Sequence, residues 1–273
     1  MDSMFLLLQI NDSLFPIGAY SHSWGLETYI QKNLVNNAKD AEHYIRRFLR
    51  CSFLCSDFLT SALAHRKTCA GMADADTDPG SLAAELLRLE EVYLASRLPS
   101  EIRSASEKLG NRFMKLLLTF PDFQESEVFA AYSNAHAACA PDPLGQGCSG
   151  SLRAETAAAP KSAGKDSPAS GKARPFCHPV AYGLATALAE ISEKDALSHY
   201  LYTQSSLMIT TCVKTIPICQ TVGQKILFSL HPLFDQMLAE AEALSEDDLC
   251  LSAPGFDLRC MQHEKLYSRL YMS

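Results

Sequence analysis

The ten cysteines of this sequence, at 51, 55, 69, 139, 148, 177, 212, 219, 250 and 260, include no C-x-x-C pair. Structural zinc sites usually present such pairs, because two thiolates on one turn pre-form half a tetrahedron. Long apolar runs are missing as well: none approaches the roughly 18 residues that a membrane-spanning helix needs. The N-terminal MDSMFLLLQIND carries an acid where an export signal wants basic residues. A mature, soluble, cytoplasmic chain is therefore expected, with reduced thiols, several of them buried as small hydrophobes. There is no extended basic block, and the net charge is −7. Double-stranded nucleic acid and anionic membranes favour a positive face, so neither is expected as a partner.

Catalytic signatures are equally scarce. A nucleophile elbow needs G-x-S-x-G after a strand, and the run Gly18-Ala19-Tyr20-Ser21-His22-Ser23-Trp24-Gly25 has neither that spacing nor a strand before it. A phosphate loop needs G-x-x-x-x-G-K-[ST], so that lysine reaches phosphate and the hydroxyl reaches magnesium. The nearest stretches, Gly164-Lys165-Asp166 and Gly171-Lys172-Ala173, lack the first glycine and the hydroxyl. No carboxylate pair stands out for acid–base work. Cys51 and Cys55 would share a helix face, where core packing is the plain reading. Cys177 and His178 form the one thiol–imidazole pair of interest as metal ligands, although two ligands cannot close a site. The expectation is a protein that is not an enzyme and has no intrinsic cofactor.

What is present is helical periodicity. Ile45, Phe48, Ser52, Cys55, Leu59 and Ala62 form one stripe, with Asn37 as N-cap and Asp40 three residues on. A second helix is predicted from Asp78-Pro79 along Leu82, Leu86, Leu89 and Tyr93. A third follows Pro99-Ser100 through Ile102, Ala105, Leu109, Phe113 and Leu116 to about Phe120-Pro121. Further helical patterns cover 126–138, 179–191, 193–213 (capped by Ser192, with Asp195 at N3), 222–229, and from Pro232 to about 245. Hairpin signals are absent. The fold class expected is all-α, a single-domain helical bundle over 1–273.

Residues 139–175 break the pattern, holding five of the thirteen prolines and five of the thirteen glycines. With almost no large apolar side chains, this stretch cannot bury enough surface to offset ordering entropy, and a flexible insert is expected.

The N-terminal DSLFPIGAYSHSWGLETYI resembles the signature of the UreF family of urease accessory proteins, roughly D-x-x-F-P-x-G-x-[YF]-x-x-S-x-G-[LF]-E. Asp12, Phe15, Pro16, Gly18, Tyr20, Ser23, Gly25, Leu26 and Glu27 all fit. LPSEIRSASEKLGNRF, HPVAYGLATA, VKTIPICQTVGQKIL and MQHEKLYSRLYMS resemble later segments of that family, in order. One departure is Ile218-Cys219-Gln220 where the family has L-G-Q, which questions any close backbone approach there. The resemblance implies an all-α protein that forms a homodimer and binds UreH (also called UreD). It then recruits and regulates the GTPase UreG, and the assembly delivers nickel to apo-urease. A competing reading is a nickel-holding metallochaperone using Cys177, His178 or other thiols.

The resemblance also nominates residues. Tyr20, His22 and Trp24 would be surface or core anchors beside a fixed turn. Glu27, Arg103 and Lys214 match charged family positions and would couple to the GTPase, with ordinary solvated or structural charges as the alternative. His263, Tyr267, Arg269 and Leu270 lie in a tail, 256–273, equipped to dock a partner. In that tail Leu266, Tyr267, Leu270 and Tyr271 recur at helical steps, facing either a partner or the protein's own core.

Overall fold

The computed structural model describes residues 3–138, 174–249 and 253–273, and the regular structure among them is entirely helical. The chain runs through α1 (Ser3–Ile10), a short 3-10 turn at Ala19–Ser21, α2 (Leu26–Gln31), α3 (Ala38–Phe48) and α4 (Leu59–Ala73). Next come α5 (Pro79–Ser96), α6 (Ser100–Leu117), the single turn α7 (Pro121–Gln124) and α8 (Glu127–Ala138). The remaining helices are α9 (His178–Leu188), α10 (Glu193–Thr215), α11 (Gln220–Ser229), α12 (His231–Ala243) and α13 (Pro254–His263). The all-α class is as expected. Most of the expected insert, 139–173, lies outside the described residues. Its last two positions do not: Arg174 donates its N–H to His136 O at 3.1 Å and its guanidinium to Glu91 at 2.8 Å. The chain is therefore anchored on α5 and α8 from Arg174 onward.

Local chemistry accounts for the helix starts. Asn37, Asp78 and Ser192 each accept the backbone N–H three residues on, at 2.9–3.1 Å, contributing about 1 kcal/mol apiece. The predicted stripes of α5 and α6 are buried from Leu82 to Tyr93 and from Ile102 to Phe113. At the end of α6 the fully buried residue is Leu117, one position beyond the expected Leu116.

The core is organised around α4 against α9. Every residue from Pro179 to Ala187 on α9 is buried, and the facing residues are small. A Cβ at Gly183 would stand 2.4 Å from Ser61 O and 2.7 Å from Ala64 Cβ, so the two backbones touch through this seam. The tight approach brings dispersion contacts along both helices.

Between α3 and α4, residues Leu49–Phe58 are wound as a π-helix. Its wider i→i+5 turn changes the angular register of the rod. This corrects one expectation. Cys51 was placed on the apolar stripe, yet it is exposed and Cys55 only half-buried, because the π turns rotate them outward. The same segment buries Asp57, which accepts Tyr93 Oη–H at 2.8 Å and Ser56 Oγ–H at 3.0 Å.

Candidate partner-docking site

The N-terminal motif and the C-terminal segment, far apart in sequence, are fastened to each other. Trp24 and Gly25 make the turn that permits this, with φ of 54° and 82°. A left-handed backbone is strained for a bulky residue such as Trp24. Gly25 is required for a second reason: a Cβ there would lie 2.5 Å from Cys260 Sγ on α13. Gly25 thus lets α13 lie directly against the start of α2.

Glu27, in the first turn of α2, is the hub. Its carboxylate accepts Leu270 N–H at 2.8 Å, Tyr271 N–H at 3.1 Å and the Gln31 amide at 3.2 Å. His263 Nε2 lies 3.1 Å from the same group, and His263 Nδ1 lies 2.6 Å from Glu101 on α6. Arg269 reaches the other oxygen of Glu101 at 2.6 Å. His263 thus bridges the two acids through its two ring nitrogens, and Arg269 adds a cation beside Glu101. Glu27 is 3% exposed and His263 is 0% exposed.

The last residues complete the clasp. Met272 N–H donates to Ser21 O at 2.8 Å, and Ser273 O accepts both Ser23 N–H at 2.6 Å and Ser23 Oγ–H at 2.7 Å. His22 Nδ1 lies 2.8 Å from Ser273 Oγ. Burial, aided by the nearby Lys108 and Arg112 cations, lowers the His22 pKa to about 4. This ring is therefore neutral at pH 7.

The nominated residues separate clearly in the fold. Glu27, His263, Arg269 and the Leu270 backbone meet in one network. His22 and Trp24 are buried anchors, whereas Tyr20 is exposed. Arg103 stands apart: it donates to Arg97 O at 2.5 Å and Leu98 O at 2.8 Å, closing the end of α5. Lys214 is exposed on the last turn of α10 and shares no hydrogen bond or ion pair with the clasp.

The tail divides in two. Its first part is α13, which packs on α2 and α6. The second, 264–273, has no regular helix: Lys265 and Leu266 N–H turn back to Gln262 O and His263 O, and the N–H groups of Leu270, Tyr271 and Met272 go to Glu27 and Ser21. The helical stripe expected at 266–271 is therefore replaced by a strap. Tyr271 turns inward, while Tyr267 and Leu270 stand out in solvent, Leu270 at 79% exposure.

Cys177 and His178 start α9 inside the bundle. Burial pushes the Cys177 thiol well up, which opposes the thiolate that binds metal, and lowers the His178 pKa to about 4. No group of three or more His, Cys, Asp or Glu side chains fit to hold a metal occurs among the described residues. Burial likewise pushes Cys212 and Cys260 up to about 12, so both behave as small hydrophobes. Cys219, at the departure from the family's glycine, is exposed with φ −84°, a conformation open to any residue.

Glu101 and Ser273 were not nominated from the sequence, and Ser23 was noted only as a motif match. Glu101 sits inside the quoted stretch LPSEIRSASEKLGNRF and is the first-turn acid of α6. That position signals helix-end stabilisation rather than a histidine 162 residues away.

Among the described residues this is a helical bundle in which a buried charge network locks residues 21–27 to the segment 263–273, which presents an exposed aromatic and aliphatic strap. The chain belongs to the UreF family, whose model matches residues 35–231. It is 28% identical to a protein of Bacillus sp. (strain TB-90) described as urease accessory protein UreF, over 273 residues covering all of both chains. A protein of the same description from Actinobacillus pleuropneumoniae serotype 5b (strain L20) is 27% identical over 274 residues, again covering all of both. The family match stops short of both halves of the clasp, while the full-length similarities include them.

Proposed function

We propose that this chain is a non-enzymatic adaptor in urease maturation. It docks UreH (UreD) through the C-terminal strap, recruits and regulates the GTPase UreG, and so supports nickel insertion into apo-urease. Nickel is cargo of the assembly, and no group of three or more candidate ligand side chains occurs among the described residues. The observation that carries the reading is the strap itself. Its backbone is spent on polar anchors inside the molecule, so Tyr267 and Leu270 remain free to fill a partner's apolar pocket, as interface anchors do. Glu27 and His263, both buried, act by holding that surface in place. Lys214, exposed on α10, is the charge available for direct contact with the GTPase.

A second surface suits the homodimer. On α1, Met4, Phe5 and Leu8 stand exposed, and beside them an open cleft of about 780 Å³ is lined by Leu8, Tyr202, Leu207, Phe234 and Leu238. A ridge next to a groove on one face is self-complementary about a two-fold axis, and exposed apolar patches of this kind mark interfaces.

Co-purification tests the adaptor reading. Mixed with UreH and then UreG, the full chain is expected to elute in one complex on gel filtration, and the purified chain alone to bind no GTP. Failure to associate with UreH, or tight GTP binding by the chain alone, would overturn the proposal.

A further inference from the structure

Beneath the N-terminal motif lies a small cavity of about 50 Å³, lined by the end of α1, the Trp24 turn, α6, α9 and α10. Trp24 lines it and is 7% exposed, yet its indole Nε1–H is buried with no hydrogen-bond partner among the described residues. An unsatisfied buried donor costs about 1–3 kcal/mol, and Trp24 already carries the strain of its left-handed backbone. A buried polar group in a native fold normally has a partner, which ordered water can supply.

The other walls are rich in neutral polar groups. Gln204 brings an amide that both donates and accepts. His178, kept neutral at pH 7 by burial, has Nδ1 3.5 Å from Tyr200 Oη. Thr203 Oγ1 and Asn11 are joined at 3.3 Å. The volume is small for an organic cofactor and accommodates a few water molecules, each needing about 10–15 Å³ of such space. A divalent cation is poorly served. The acid at the rim, Asp12, is exposed and already accepts Leu14 N–H at 2.7 Å, and hard cations need several oxygen ligands, carboxylates above all.

We infer that this cavity is an internal hydration site, in which ordered waters accept the Trp24 Nε1–H bond and bridge it to Gln204 and the His178–Tyr200 pair. The motif turn is thereby tethered to α9 and α10 through water as well as through packing. The bridge supplies the bond that the indole otherwise forgoes, offsetting part of the cost of the strained turn.

Trp24 is the single tryptophan of the chain, so its signals are unambiguous. A crystal structure of the full chain that resolves ordered solvent is expected to show water within about 3.2 Å of Nε1. Gln204→Leu, close in size but unable to bond water, is expected to shift the tryptophan emission maximum to the blue while the far-ultraviolet helical signal stays unchanged. A dry cavity, or a protein acceptor on the indole N–H, overturns the inference, as does an unshifted maximum in folded Gln204→Leu protein. Should that variant not fold, the wild-type crystal decides alone.

Discussion

Glu27 and His263 lie 236 positions apart in the chain and 3.1 Å apart in the fold, both almost wholly buried. Each has partners beyond the other: Glu27 takes two backbone N–H groups of the strap, and His263 leans on Glu101. Removing one member of such a network leaves a charge or a donor stranded away from water. The pair thus ties the order of the C-terminal strap to the N-terminal motif.

Glu27→Ala is expected to lower stability by about 3–5 kcal/mol, the usual cost of breaking a buried pair from one side. Glu27→Gln should cost less, since its amide oxygen still accepts from Leu270 or Tyr271. Urea unfolding followed by circular dichroism measures both. Equal midpoints for wild type and Glu27→Ala would mean that the network holds nothing.

Much of the bundle was legible in the sequence because caps and stripes are local. Asn37, Asp78 and Ser192 each act within three residues. Three features were not legible. Helix α1 is nearly all apolar, so its period is invisible. The π turns at Leu49–Phe58 rotate Cys51 outward through hydrogen bonding that no residue pattern announces. Helix α13 was not predicted, although Pro254 suits its first position, where a missing N–H does no harm. The site was half visible: Glu27, His263 and Arg269 were nominated through the family resemblance. Their meeting depends on the path of the whole chain, and so Glu101, which joins them, was passed over.

Gly183→Ala should destabilise the protein by about 1–3 kcal/mol, an overpacking cost, because the added methyl would press on the Ser61 carbonyl, part of a backbone that cannot swing away. Thermal unfolding provides the check. A variant as stable as wild type would mean that α4 and α9 separate without cost.

Acid should loosen the fold in a defined window. His22 and His178 both have pKa values lowered to about 4 by burial, with Lys108 and Arg112 adding to the effect at His22. An unfolded histidine titrates near 6.5. Between about pH 6.5 and 4, the unfolded chain binds protons that the folded chain refuses. The stabilisation is therefore complete above this window and is lost as pH falls through it. At pH 5 each histidine is expected to cost about 2 kcal/mol relative to pH 7. Urea midpoints at pH 7, 6 and 5 would show the decline, and His178→Phe should flatten it. A midpoint constant from pH 7 to 5 would contradict the neutral assignment of both rings.

The strap separates docking from folding, and that makes the partner surface testable. Tyr267 and Leu270 project into solvent, and Leu270 meets Glu27 only through its backbone N–H. Replacing both side chains with serine should therefore leave the melting temperature within a degree or two of wild type. If these side chains are the anchors for UreH, the complex is lost on gel filtration, since truncating central anchors typically costs 2 kcal/mol or more each. His263→Ala attacks the same surface from below. It removes the ring that links Glu27 to Glu101, so it should lower the melting temperature and weaken the complex together. The two variants thus distinguish contact from support. A Tyr267→Ser, Leu270→Ser protein that is stable and still binds UreH at wild-type strength would move the docking surface elsewhere on the bundle.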